Sequence, residues 1–156
     1  MDLYSVLAKL NISYEHLEHK PVFTVEDARF IKRKISGYGC KNLLLTDNKS
    51  GYFLVIVEDN KRVDMRNITR FIDIPHLSFA SETELNNVLG LSRGSVSPFG
   101  IINDIENKVT LIIDSALREK RLLFPANSNT ETIAVNYADL IKFAESTKHT
   151  CYVLDV

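Results

Sequence analysis

The chain has 156 residues, enough for one domain that builds its own core without disulfide or metal staples. Hydrophobic residues make up 45% and charged residues 25%, with six glycines and no low-complexity tract, which excludes a disordered or fibrous chain. The formal net charge of −1 excludes attraction of nucleic acid by the whole surface, so any RNA contact must come from a local basic patch.

In chain order, "DLYSVLAKL" sets Leu3, Val6, Leu7 and Leu10 on one helical face, and Asn11 ends that helix. "ISYEHLEH" alternates like a half-buried strand. After Pro21, Thr24 is a natural N-cap for "TVEDARFI", whose acids Glu26 and Asp27 suit a first turn. "KNLLLTD" and "GYFLVIVED" are apolar runs on either side of "DNKSG", which predicts an antiparallel hairpin. Asp64 opens a short helix in "DMRNITRFI", and Ser81 with Glu84 forms a capping box for "SETELNNVLG", closed by Gly90. Next comes "GLSRGSVSPFG", with three glycines, three serines and a proline. Gly94 and Gly100 allow a positive φ or a close approach of ligand to backbone; the plain alternative is a connecting turn. β-Branched residues predict strands in "KVTLIID" and "TIAV", Asn136 caps a closing helix in "NYADLIKFAE", and "TCYVLDV" follows. Strands and helices interleave without a strict βαβ rhythm, which predicts a mixed α+β sheet with helices on its outside.

The chemistry-bearing residues exclude more than they assign. Cys40 and Cys151 are far apart and in no C-x-x-C or Cys/His spacing, which points to a reducing compartment, the cytosol, and away from structural zinc. No apolar run approaches the length of a membrane span. His16, His19, His76 and His149 share no ligand spacing, so no metal is expected. "GSVSPFG" fails the G-x-S-x-G elbow, and the glycines fit neither phosphate-binding motif. Cys40 precedes Lys41, but neighbours on a strand point to opposite faces, which weakens the case for an activated thiol. Lys41 itself, at the start of an apolar strand, is either a solvated end or a cation at a pocket rim. The clusters at residues 32–34, 61–62 and 118–121 are either solvated faces or phosphate contacts.

Four segments in order, "YEHLEHKPVFTVEDA", "GCKNLLL", "RGSVSPFGIIND" and "FPANSNTETIAV", resemble the YbaK/ProX aminoacyl-tRNA deacylases, relatives of the editing domain inserted in bacterial prolyl-tRNA synthetases. The resemblance runs from about Leu3 to Phe143 and is to the freestanding ProX type. It implies a single editing domain over residues 1–156, with a mixed, mostly antiparallel, barrel-like sheet surrounded by helices. It implies hydrolysis of a wrongly attached amino acid, alanine on tRNA(Pro), by a cytoplasmic monomer without cofactor or metal, with mischarged tRNA and prolyl-tRNA synthetase as partners and no membrane. Lys41, Gly94, Ser95 and Pro98 then take the catalytic places, Lys41 engaging the terminal adenosine's phosphate or the neighbourhood of the ester. Phe23, Thr24, Asn42, Val96, Ser97, Phe99, Gly100, Asn129 and Thr132 take the substrate-binding places. On this reading loop N–H groups stabilise the developing oxyanion, and a water, helped by the substrate's ribose hydroxyl, attacks the ester.

One departure bears on specificity. The family pattern F-H-P-x-x-N-x-x-T meets "FPANSNTET" here, so that aligning Asn129 and Thr132 puts Pro125 where the family has histidine and Ala126 where it has proline. Serine, threonine or cysteine esters therefore stand beside alanine as substrates. A noncatalytic tRNA- or synthetase-binding module of the same fold is the alternative from another class.

Overall fold

The computed structural model describes residues 2–22, 24–49 and 51–156, and of Val25 the main chain. Helix α1 (Leu3–Lys9) starts where the Asp2 carboxylate accepts the Ser5 N–H at 3.0 Å. Strand β1 (Glu15–Glu18) precedes α2 (Val25–Lys34), whose N-terminus carries a reciprocal capping box between Thr24 and Asp27. The expected hairpin follows as β2 (Tyr38–Thr46) and β3 (Tyr52–Glu58), antiparallel from Cys40↔Glu58 to Thr46↔Tyr52. Asp64 caps α3 (Met65–Ile72), a two-residue strand β4 (Ser78–Phe79) intervenes, and the Ser81/Glu84 box opens α4 (Glu82–Leu89). Gly90, at φ 68°, ends α4 in the left-handed conformation that glycine takes most readily.

The pliable segment beyond Gly90 is more ordered than a turn: it folds as two 3₁₀ turns, Arg93–Ser95 and Pro98–Asn103. Then come β5 (Val109–Asp114), a third 3₁₀ turn (Ser115–Leu117), β6 (Arg121–Pro125), β7 (Glu131–Asn136), α5 (Tyr137–Ser146) and β8 (Cys151–Leu154). Asn136 does stand at the N-cap of α5, but its side chain makes no capping hydrogen bond. None of the helices among the described residues is long and apolar enough to cross a membrane.

The strands form one mixed sheet in the order β1-β7-β6-β2-β3-β5-β8, with β4 added on β2. Among the described residues four pairings are antiparallel and three parallel, the latter β2–β6, β3–β5 and β5–β8. Both halves of the sheet turn one face onto a shared core: Leu54, Ile56, Leu111 and Ile113 meet Leu122, Phe124, Ile133 and Val135 there, with Leu3, Leu7, Leu89 and Phe143 from the helices. On the opposite face α3 covers Leu45, Val55, Val57 and Ile112 through Ile68, and α2 covers Leu123 and Ala134 through Ile31 and Ile35.

Strand β2 is the hinge of this arrangement. Along the edge that faces away from β3 it pairs with β6 only at Tyr38 and Gly39 and with β4 only at Leu45 and Thr46. Residues 40–43 between them lie in a gap. The Leu44 carbonyl accepts the Ala80 N–H across this edge at 2.9 Å, so by strand alternation the main chain of Asn42 is aimed into the gap.

Candidate active site

The first 3₁₀ turn plugs the gap in the sheet. The Asn42 amide donates to the Val96 carbonyl at 3.0 Å, and the Asn127 amide donates to the Phe99 carbonyl at 3.3 Å, so one side chain from β2 and one from the β6–β7 turn pin the loop. Within the loop the serines are used structurally. The Ser95 hydroxyl donates to the Ser92 carbonyl at 3.1 Å and accepts the Ser92 N–H at 3.3 Å. The Ser97 hydroxyl, fully buried, accepts the Phe99 N–H at 3.2 Å and starts the second turn, with Pro98 in its first position. Phe99 stacks edge-on against Phe124 and Phe143, at 5.7 and 4.9 Å between ring centres, and so anchors the loop in the core. Gly100 is a packing glycine, since a Cβ there would come within 2.6 Å of Leu91 Cδ1.

Gly94 is different in kind. It lacks the positive φ that marks Gly37 and Gly90, and a Cβ built on it would meet only the Asn129 Cβ, at an ordinary 3.8 Å. Neither backbone strain nor protein packing demands glycine here. What its bareness leaves open is a cavity of about 190 Å³ on the α2 side of the sheet. Val22, Ala28, Ile31 and Leu123 give this cavity an apolar wall, and His19, Thr132, Ser128 and Asn129 a polar one. The volume is below the range that encloses drug-sized ligands, so it suits something as small as an amino acid.

The His19 ring has a defined tautomer. Its Nδ1 lies 2.8 Å from the Lys20 carbonyl, which can only accept, so Nδ1 carries the proton; in the neutral ring Nε2 then accepts the Thr132 hydroxyl at 2.9 Å. The Thr132 oxygen keeps lone pairs free for a ligand. At the rim the Lys32 ammonium and Asp59 carboxylate pair at 2.6 Å, passing over Gly39, where a Cβ would lie 2.8 Å from the lysine stem. Cys40 lines the cavity as well, but burial, and after it the charges of Asp59 and Glu58, push its thiol up to about 12. It stays protonated at neutral pH and is no nucleophile.

Of the residues expected at the site, Gly94, Asn129 and Thr132 line the cavity together. Asn42 and Val96 join strand to plug, Ser95 and Ser97 are spent on the loop, and Pro98, Phe99 and Gly100 lie buried beneath it. Thr24 caps α2, its hydroxyl accepting the Asp27 N–H at 3.1 Å. Phe23 lies outside the described residues. Lys41 pairs with Val57 and shares its face of β2 with Gly39, at the gap and partly exposed, and makes no ion pair among the described residues. His19 and the Lys32–Asp59 pair were not foreseen. His19 meets Thr132 across 113 residues, a juxtaposition that no local spacing announces. Pro125 lines the cavity where the family pattern has histidine, so the imidazole present comes from the opening segment instead.

Among the described residues one trio has metal-ligand atoms close together, His16, Glu18 and Glu131. Glu131 also lines the cavity beside Thr132, and its carboxylate accepts the Tyr4 hydroxyl of α1.

The mixed sheet, the plug in its gap and the small two-sided cavity define an α+β domain with a small-ligand site. Residues 19–143 match the family model of the aminoacyl-tRNA editing domain. The chain is 34% identical to the prolyl-tRNA editing protein ProX of Acetoanaerobium sticklandii, over 97% of this chain and 96% of that one. It is 33% identical to prolyl-tRNA synthetase associated domain-containing protein 1 of Danio rerio, over 98% of this chain and 85% of the other. A crystal structure of a candidate trans-editing enzyme for prolyl tRNA synthetase superposes with a TM-score of 0.76 at 18% identity, over 97% of this chain and 93% of that one. The chain belongs to the aminoacyl-tRNA editing domain family.

Proposed function

We propose that this protein is a trans-editing aminoacyl-tRNA deacylase that hydrolyses the ester of alanine on tRNA(Pro). The observation that carries the reading is Gly94, a glycine that the protein's own packing does not require, open to a cavity of amino-acid size. In a three-residue 3₁₀ turn capped at Ser92, whose carbonyl takes the Ser95 N–H, the N–H groups of Arg93 and Gly94 have no partner within the turn. On this reading the Gly94 N–H, unshielded by a side chain, donates to the ester carbonyl as it becomes an oxyanion.

The aminoacyl methyl group meets the apolar wall, and the Thr132 oxygen, oriented by His19, accepts from the substrate's α-ammonium. On this reading the attacking group is water: the Ser95 and Ser97 hydroxyls are committed within the loop, the Cys40 thiol is buried and protonated, and the Thr132 hydroxyl serves to bind the substrate. The water oxygen bonds to the carbonyl carbon, the ribose oxygen leaves with a proton, and free amino acid and tRNA result. Lys41, on a long flexible stem beside Gly39, supplies positive charge at the rim in the neighbourhood of the ester. The purified protein should be given a panel of tRNAs charged with alanine, serine, threonine, cysteine and proline under single-turnover conditions. Fast release of alanine, with loss of at least tenfold in a folded Lys41→Ala variant, is the expected result. Release of none of the five would leave a binding module in place of an enzyme.

A further inference from the structure

The plug has a second side. Where Gly94 faces the small cavity, Arg93 and Val96 face another, of about 440 Å³, which lies toward the β4 end of the gap and also touches Asn42, Phe79 and Ala80. Three features of this cavity are unexplained by packing. The Phe79 ring, on the edge strand β4, is 62% exposed. Arg93 is exposed and makes no ion pair among the described residues. The Asn42 Oδ1 in its wall is closed off from solvent and has no hydrogen-bond partner, because the amide must present its nitrogen to the Val96 carbonyl.

We propose that this second cavity is the subsite for the 3′-terminal nucleoside of the tRNA, with the base stacked on Phe79 and the adjoining phosphate held by Arg93. The inference rests on the deacylase reading of the first cavity and extends it. The two cavities meet Cys40 and Asn42, two residues apart on one strand face and therefore about 6–7 Å apart, a separation that one ribose bridges between ester and base. An exposed aromatic ring beside an unpaired guanidinium is the pairing that single-stranded nucleic acid seeks, since every base has a stacking face and every link a phosphate. Lys41 shares its face of β2 with Gly39, which lines the first cavity, and is left for the ester side.

The test is steady-state hydrolysis of Ala-tRNA(Pro) by the wild type, Phe79→Ala, Phe79→Tyr and Arg93→Ala, beside titration of each with adenosine 5′-monophosphate followed by NMR. Both side chains are exposed, so the variants should fold, and circular dichroism checks that they do. Phe79→Ala and Arg93→Ala should each raise KM about tenfold with kcat held within about twofold, while Phe79→Tyr restores KM. Adenosine 5′-monophosphate should shift resonances of Phe79 in the wild type, and inorganic phosphate should not. A wild type that hydrolyses the ester with KM indifferent to both alanine variants overturns the subsite and leaves the deacylase standing. A wild type that hydrolyses nothing overturns the deacylase; the nucleotide titration then decides the subsite, which stands if Phe79→Ala abolishes binding and falls if no binding occurs.

Discussion

At the scale of single residues, the loop's glycines and serines separate by what each one touches. Gly100 is glycine because Leu91 occupies the space of a Cβ, whereas Gly94 is glycine with that space free. Gly94→Ala should therefore keep the protein within about 0.5 kcal/mol of its native stability, as for substitutions that disturb no packing, yet lower single-turnover hydrolysis at least a hundredfold. A fully active Gly94→Ala would mean that the ester does not approach there. Ser97→Ala should do the reverse, costing about 1 kcal/mol through the lost cap on the second 3₁₀ turn while hydrolysis at low temperature persists. Cys40 makes a pH prediction. Its folded thiol is raised to about 12 from the ordinary 9.0, first by burial and then by Asp59 and Glu58. The stability linked to the neutral thiol is then complete below pH 9 and lost as pH climbs toward 12, because the unfolded chain ionises first. At pH 8 iodoacetamide should modify Cys40 on the order of a hundredfold more slowly in the native protein than in the urea-unfolded chain, and equal rates would contradict the buried, protonated thiol.

At the scale of elements, local chemistry was readable where a cap or a period wrote it down. Thr24, Asp64, Ser81 and Gly90 each end or begin a helix where their side chain or φ dictates, and the β2–β3 hairpin follows from two apolar runs around a polar turn. Strand β6 was missed for an equally physical reason. "RLLFP" is a short apolar run between a basic cluster and a proline, and both its neighbours, β2 and β7, are remote or reached by a turn whose left-handed residue is Asn127 rather than glycine. Asn127 holds φ 59° and also donates to the Phe99 carbonyl, so one residue shapes the β6–β7 turn and pins the plug. Half of the candidate site was legible, Gly94, Asn129 and Thr132, because the segments that carry it resemble a family. His19 and the gap in β2 were not, because both arise from pairings between strands far apart in sequence. The element that matters most is the pinned loop, and its pins can be tested apart from the cavity. Asn42→Ala should cost roughly 1–2 kcal/mol less than a typical loss of a paired buried amide, since the orphaned Oδ1 goes with it, while loosening the plug enough to slow hydrolysis. Faster amide exchange confined to residues 92–97, at nearly unchanged global stability, is the signature to look for.

At the scale of the molecule, two questions remain apart: what holds the far end together and how a nearly neutral protein finds an RNA. The far end depends on a buried pair, the His149 ring nitrogen 2.9 Å from the Asp104 carboxylate, which also accepts the Val109 N–H at 2.9 Å. This ties the end of the second 3₁₀ turn to the starts of β5 and β8, well away from the cavity. His149→Ala should lower stability by about 3 kcal/mol, because it strands a buried carboxylate, and should leave hydrolysis intact at temperatures where the variant is folded. RNA binding follows from charge. With a net charge of −1, attraction must come from cations near the site that make no ion pair among the described residues, Lys41 and Arg93 among them. Each phosphate they neutralise releases about one condensed counterion, so log K should fall with log[salt] with a slope of roughly −0.7 per contact on a single-stranded acceptor end. Two or three contacts predict a slope near −2, measured by fluorescence titration of tRNA between low and moderate salt, and Arg93→Ala should reduce that slope by a little under one. A slope of zero with tight binding would place recognition in shape and stacking alone, and a slope several times steeper would bring in further cations, the exposed Arg33 and Lys34 of α2 first.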